Sequence, residues 1–399
     1  MEGSTHLQGG IQAAEFAERR ERLLAVVREA GLTGYALFDA DYIQYFTGFG
    51  FLSNERPVIF AQSTRGDMAV LVPEFEVERV RAETAFERIE SYTEYPGVEH
   101  PMVSLARLLA DLGIRDSIGA DEDGYPGILG YHGPALSEIA TAAVTPLSSV
   151  IEGMMVRKSA AEIELLRESA RWCAYAHRLL QRYSIPGATE AEASLRAGHE
   201  ATLAMLEVHG EVGGHGSSDG VSAGYRGQIG PRSAWAHAVA HNIQFKTGDV
   251  LVSETSAPIW GYQAELERAM VIGPPSDEVR RLFEHTVAVQ QVALAALRPG
   301  VTCSAVDGAV MRYLEQNDLQ SYWRQHTGHA VGLRNHEAPF LDLGDHTRVE
   351  PGMVFTLEPG LYADGIGGFR HSDTVAVTDD GVDVLTDYPR DLESLTIPG

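Results

Sequence analysis

Cysteine is nearly absent from this chain of 399 residues. Two residues, Cys173 and Cys303, cannot build a disulfide framework. Cys173 falls on a helical stripe and reads as a small core residue, while Cys303 stands beside a turn and says nothing more. Long hydrophobic runs are missing as well. No stretch of about 18 apolar residues occurs, and no basic-then-apolar leader opens the sequence, so neither membrane insertion nor export is expected and the expected home is the cytoplasm. Positive charge is scarce: 31 Lys and Arg stand against 56 Asp and Glu, for a net charge of −25. That balance argues against a nucleic-acid surface and against anionic membranes, and it favours solubility. It says little about substrate, because a solvated anionic surface accounts for it. The Gly- and Ser-rich stretch 213–230, with His215 and Asp219, lacks the Gly and Lys spacing of a phosphate loop and reads as a flexible wall of a pocket.

What is present suffices for two globular domains, since 44% of the residues are hydrophobic. Residues 1–12 have no periodicity and read as a loose tail. A helix follows, with Phe16, Leu23, Val26 and Val27 at helical spacing up to Gly31. Strands are expected at Tyr35–Phe38, Arg56–Phe60 and Met68–Val72, with one more before a loop opening at Gly119 and Ala120. Residues 13–150 thus form a compact α/β domain. The pattern changes near residue 150, and 151–399 form a second domain. Ser159 caps a long amphipathic helix carrying Ile163, Leu166, Ala170, Cys173 and His177, stopped by Pro186-Gly187. His177 and His199 read as core or helix-surface residues. Ser276 caps a further helix ended by Pro299-Gly300, and another starts at Ser304 with Asp307 completing a capping box.

Residues that can do polar chemistry concentrate between His237 and Asp373, on strand-like or Gly-rich segments that can aim side chains inward from a rigid scaffold. An apolar run ending on Glu254 and a return run from Ala264 to Ile272 read as a hairpin that brings Glu254 near Glu265. Alternation along the second strand puts Glu265 and Glu267 on one face. Farther on, His329 and His336 stand seven apart across a Gly-rich turn that includes Arg334, and Glu358 closes the run Val354, Thr356, Glu358. Carboxylate and imidazole donors in this number suit a divalent ion with oxygen and nitrogen ligands.

In this order the residues resemble the M24 "pita-bread" hydrolases, which include Xaa-Pro aminopeptidases, prolidases and methionine aminopeptidases, with metal-independent creatinase and ectoine hydrolase. The resemblance spans nearly the whole chain, including Met155-Val-Arg-Lys158-Ser-Ala-Ala-Glu162 at the entry to the second domain. It implies an α/β (α+β) fold, a creatinase/prolidase-like N-terminal domain followed by a pita-bread catalytic domain. Family metallopeptidases carry two Asp ligands eleven apart, then a His, a Glu and a final Glu that bridges two ions. Glu254 and Glu265 stand at the Asp positions, His329 at the His and Glu358 at the first Glu. Gly367-Gly-Phe-Arg-His-Ser-Asp-Thr374 resembles the family's Gly-Gly-Val-Arg-Ile-Glu-Asp-Thr, which puts Ser372 at the last ligand. His371 replaces it only if a bulge re-aims it. His237 and His336 fall on the two catalytic histidines.

The resemblance implies hydrolysis of an amide-like C–N bond in a small peptide or small amide, most directly an Xaa-Pro peptide. In a metal version, Glu254, Glu265, His329 and Glu358 hold Mn, Co, Zn or Fe, Glu358 takes a proton, and His237 and His336 assist the substrate. In a metal-free version akin to creatinase or ectoine hydrolase there is no cofactor. His237 then shuttles the proton, Glu254 or Glu358 acts as base or nucleophile, and Glu267, in a segment similar to creatinase's Ala-Leu-Glu-Arg-Thr, holds a cationic group. Arg334 is placed with substrate binding. By resemblance to creatinase, Arg56 grips a substrate carboxylate in a neighbouring subunit, implying a homodimer. A third possibility, a non-catalytic binding protein on the same fold, predicts scattered loss of the acids and histidines.

Overall fold

A computed structural model describes residues 10–210 and 220–399. They form two compact units, Ile11–Met155 and, for the second, residues 156–210 and 220–399 together with residue 10. The part of the Gly- and Ser-rich stretch that holds His215 and Asp219 lies outside the described residues, as do residues 1–9.

The first unit is built on a sheet of six strands: β1 (Gly34–Leu37), β2 (Ile59–Ser63), β3 (Met68–Pro73), β4 (Ile89–Tyr92), β5 (Ser117–Ala120) and β6 (Ala143–Pro146), in the order β4-β3-β2-β1-β5-β6. The sequence-adjacent β1, β2 and β3 pair antiparallel, and the remaining pairs are parallel. Parallel neighbours need a crossover. Helices supply it: α3 (Val77–Glu83) precedes β4, α4 (Pro101–Leu112) precedes β5 and α5 (Leu136–Ala140) precedes β6, while α1 (Ala13–Glu29) and α2 (Ala40–Thr47) flank β1 and α6 (Ser148–Met155) closes the unit. The apolar face of α4, with Met102, Leu105, Leu109 and Leu112, packs on Ile59, Leu71 and Ile118. Each such side chain contributes roughly 1.5–3 kcal/mol by burial. The strand expected from Arg56 starts at Ile59 because Arg56 is drawn into ion pairs. Gly119 and Ala120, expected in a loop, are the last residues of β5, paired with Thr145 and Pro146.

In the second unit α7 (Ala160–Tyr183) starts as its sequence demands. Ser159 Oγ accepts from Glu162 N at 3.2 Å, and the Glu162 carboxylate accepts from Ser159 N at 2.8 Å. The helix is followed by α8 (Glu190–His209), α9 (Asp277–Ala296) and α10 (Cys303–Gln316). Ser276 caps α9 as expected. The cap of α10 is Thr302 rather than Ser304, and Asp307, instead of completing a capping box, is buried and accepts from Thr327 Oγ1 at 2.6 Å. His177 is a core residue. Its Nε2 lies 2.5 Å from Ser253 Oγ, which donates to Arg268 O, so the ring donates and is neutral; burial, with the Arg268 charge, pushes its pKa down to about 3. His199 is exposed on α8.

The catalytic-type residues sit on a nine-stranded sheet whose main path is β11-β10-β12-β15-β9-β8-β7. Its strands are β7 (Ser222–Gly224), β8 (Val250–Ser256), β9 (Glu265–Ile272), β10 (Gly328–Ala330), β11 (Glu337–Leu341), β12 (Val354–Leu357) and, after the separate hairpin of β13 (Gly360–Ala363) and β14 (Gly367–Arg370), β15 (Ser372–Val377), with β16 (Val382–Val384) and β17 (Thr396–Ile397) at its flanks. The expected hairpin is β8–β9. Ile259 and Tyr262 exchange both backbone hydrogen bonds around Trp260 and Gly261, which have φ of 51° and 85°, the positive angles a tight two-residue hairpin turn requires. Among the described residues no helix is long and apolar enough to cross a membrane.

Candidate active site

Register decides which acids meet. In β8–β9, Glu254 stands opposite Glu267, and Glu265 stands opposite Ser256. Glu254 and Glu265 therefore share a face diagonally, as the hairpin was expected to bring them near one another, and Glu267, expected on the same face as Glu265, is the direct neighbour of Glu254. The next strand adds Ser372 opposite Glu267. On the other flank β10 brings His329 against β12, after which Glu358 follows. Gly328 makes that approach possible, since a Cβ there would lie 2.0 Å from Thr356 O.

Three of the expected ligands converge: one donor atom each from Glu265, His329 and Glu358 lies within 4.8 Å of the others. His329 is fully buried, and its ring stacks on His336 with centroids 3.8 Å apart. Nδ1 of His329 lies 3.1 Å from Ala330 O and can only donate to it, which leaves the lone pair on Nε2. That nitrogen makes no hydrogen bond and faces Glu358 Oε1 at 3.2 Å. The contact takes a positive charge either as a proton on the ring, which burial opposes but Glu358 favours enough to raise the His329 pKa, or as a metal ion in that proton's place. Burial and then the charges of Glu267, Glu358 and Glu254 raise the Glu265 carboxyl well above the ordinary range, opposed by the Ser372 hydroxyl. Glu358 goes the other way: burial acts to raise it, but His329 and Arg370 hold it below its usual value.

The remaining acids are already compensated. Arg370 clamps Glu267 through Nε and Nη2, the second contact at 2.5 Å, with both side chains 2% exposed. Burial works against the Arg370 charge, yet Glu267 beside it prevails and its pKa stands well above the ordinary value. Arg370 also donates to Tyr362 Oη at 3.0 Å and to Ala236 O at 3.3 Å. Gln228 donates to Trp235 O and Ala236 O, so the loop that presents the exposed His237 is tied to the cluster from two sides. Glu254 is ion-paired with Arg226, whose Nη2 lies 2.5 Å from Oε2, although that buried oxygen makes no hydrogen bond.

Ser372 Oγ donates to Glu265 Oε1 at 2.7 Å and is no carboxylate substitute. His371 does not replace it: its ring packs on Phe283 of α9, fully buried with neither nitrogen hydrogen-bonded, so no bulge turns it inward. Both Glu267 oxygens accept from Arg370. Arg334 anchors the turn before His336 through its backbone, N to Glu337 Oε1 at 3.2 Å, and Glu337 is held by the buried Lys158 at 2.7 Å. In the first unit, the Arg56 fork is engaged by Glu94, Nε to Oε1 at 2.6 Å, with Glu55 beside it. Arg226, Arg370 and Tyr362 escaped sequence reasoning. Arg370 lies inside the quoted Gly-Gly-Phe-Arg pattern and could have been found there, whereas nothing local marks Arg226 or Tyr362.

Residues 164–379 match the model of metallopeptidase family M24, and residues 19–154 match the creatinase/prolidase N-terminal domain. The chain belongs to family M24. The M24 membership agrees with the buried acids and histidines, and it makes the protein a hydrolase of peptide C–N bonds. Among M24 relatives, a probable dipeptidase PepE of Mycobacterium bovis is 27% identical over 385 residues, 96% of this chain and 97% of the relative. An Xaa-Pro dipeptidase of Pyrococcus furiosus is 34% identical over 163 residues, 41% of this chain and 47% of that protein. The solved Xaa-Pro dipeptidase of Bacillus anthracis superposes with a TM-score of 0.79 at 26% identity, covering 94% of this chain and 99% of that one.

The donor set was tested against the metal centre that such a family implies. The lone pair on buried His329 Nε2, directed at an ionised Glu358, and the uncompensated Glu265 fit one divalent ion. The donors for a second ion do not fit, because Glu254 is ion-paired and Ser372 is a hydroxyl donor.

Proposed function

We propose that the protein is an Xaa-Pro-type dipeptidase acting with one divalent ion held by Glu265, His329 and Glu358. The observation that carries this reading is the convergence of a buried imidazole nitrogen and two carboxylates, one donor atom each from His329, Glu265 and Glu358, within 4.8 Å of one another. Oxygen and nitrogen donors of this kind suit Mn, Co, Zn or Fe. When bound, the ion supplies the concentrated positive charge that acidifies a water and polarises the scissile carbonyl.

The protein's own residues do the rest. Glu358 is ionised at neutral pH and accepts the proton of the attacking water, then passes it to the leaving proline nitrogen, which must be protonated to depart. His237 and His336 stand exposed beside the cluster and donate to the peptide carbonyl as its oxygen gains charge. The pKa of His336 is lowered, by burial first and then by the neighbouring His329, so it donates as a neutral ring. Arg370 keeps Glu267 from adding an uncompensated charge to the pocket. Glu267 is given to Arg370 in this reading, rather than to a cationic substrate group.

A panel of aminoacyl-proline dipeptides, other dipeptides, creatine and ectoine tests this, assayed after chelation and again after Mn²⁺ is restored. Turnover of aminoacyl-prolines that needs the metal is expected. Metal-independent turnover of creatine or ectoine with no peptide cleavage would discard the proposal.

A further inference from the structure

Two arginines stand among the acids of this pocket, and one of them is set there by an unusual backbone. Arg226, between β7 and β8, has φ of 50°, a left-handed conformation that a side-chain-bearing residue holds only when its surroundings impose it. The surroundings do impose it. Gly227 N donates to Glu190 Oε1 at 2.5 Å, the other Glu190 oxygen accepts from His241 N at 3.1 Å, and a Cβ at Gly227 would lie 2.1 Å from Val239 O. The locked turn delivers the guanidinium to Glu254 Oε2 at 2.5 Å and Glu267 Oε1 at 3.6 Å.

Charge then counts the cations. Among the described residues, four carboxylates, Glu254, Glu265, Glu267 and Glu358, face two guanidiniums, Arg226 and Arg370. One divalent ion brings the cluster to neutrality, and a second would leave it two charges positive in a largely buried place. Ser372, where the family pattern has its bridging carboxylate, removes the acid that would offset that excess. We propose that the Arg226 guanidinium is the fixed second cation of this site, so that the protein binds a single divalent ion. The inference rests on the peptidase reading above and deepens it: Arg226 is a positioning residue that pairs with Glu254 and keeps it out of metal coordination.

The test counts metal rather than turnover. Full-length protein is stripped with chelator and titrated with Mn²⁺, with bound ion counted by elemental analysis and pairs of ions detected by spin coupling. Wild type and Arg226→Lys bind one equivalent with the signal of an isolated ion. Ser372→Glu alone also binds one, because Arg226 is still in place. Arg226→Gln with Ser372→Glu binds two, with a coupled signal. Arg226→Gln alone, at a side chain 45% exposed and so tolerant of change, gains roughly tenfold or more in affinity for a second Mn²⁺ as one unit charge leaves the pocket. Two equivalents in wild type, or in Ser372→Glu alone, overturn the role of Arg226 while leaving the peptidase reading intact. Zero equivalents in folded wild type overturn both.

Discussion

His329→Ala is expected to remain folded, lose detectable peptidase activity and bind Mn²⁺ at least roughly 100-fold more weakly, since even an outer partner of a metal ligand is worth 10- to 100-fold. The side chain makes one hydrogen bond, to the neighbouring carbonyl, so its removal costs little there. What it takes away is the only nitrogen donor in the cluster of three. His336→Ala is the informative control. Its ring stacks on His329 but is no member of that cluster, so the variant keeps its Mn²⁺ affinity within a few fold and loses turnover. Calorimetric titration beside an activity assay reads both quantities. Equal loss of metal by the two variants would show that the histidines do not divide the work as described.

Arg370→Met, the second large effect, is a stability change. Removing the guanidinium strands Glu267 at 1% exposure without its partner, and breaking a buried pair from one side costs about 3–5 kcal/mol. Tyr362 and Ala236 lose a donor in the same step. Adding Glu267→Gln to Arg370→Met removes the stranded charge and recovers much of the loss, as a double-mutant cycle in urea would show. Wild-type stability in Arg370→Met would mean that Glu267 finds compensation elsewhere, with Arg226 at 3.6 Å the nearest candidate.

The contrast between what the sequence disclosed and what it withheld has a physical basis. Ser159 followed three residues later by Glu162 is a local signal, and the capping box is there. Hydrophobic periodicity found the helix that buries Cys173 and His177, and the acid-ended run found the β8–β9 hairpin. Register was not local: the hairpin was expected to bring Glu254 near Glu265, and it does so diagonally, but the pairing that sets Glu254 directly opposite Glu267 depends on the turn at Trp260 and Gly261. Thr302 took the cap expected of Ser304, accepting from Ala305 N, while Asp307 accepts from Thr327 of a distant segment that no local pattern announces.

The site was legible as donors and illegible as charges. His329 and Glu358 could be named from their segments, because acids and imidazoles ending strands are rare enough to notice. The partners of the acids, Arg226 and Arg370, lie 28 and 103 residues along the chain from Glu254 and Glu267, with which they pair, and only the folded sheet brings them in. The sequence therefore offered Glu267 and Glu254 as candidates without showing the arginines that pair with them.

The most direct measurement is anomalous diffraction from crystals soaked in Mn²⁺. One peak is expected per chain, in bonding contact with a Glu265 oxygen, His329 Nε2 and a Glu358 oxygen. A peak elsewhere, or none at saturating Mn²⁺, would contradict the assignment of these three side chains as the metal site.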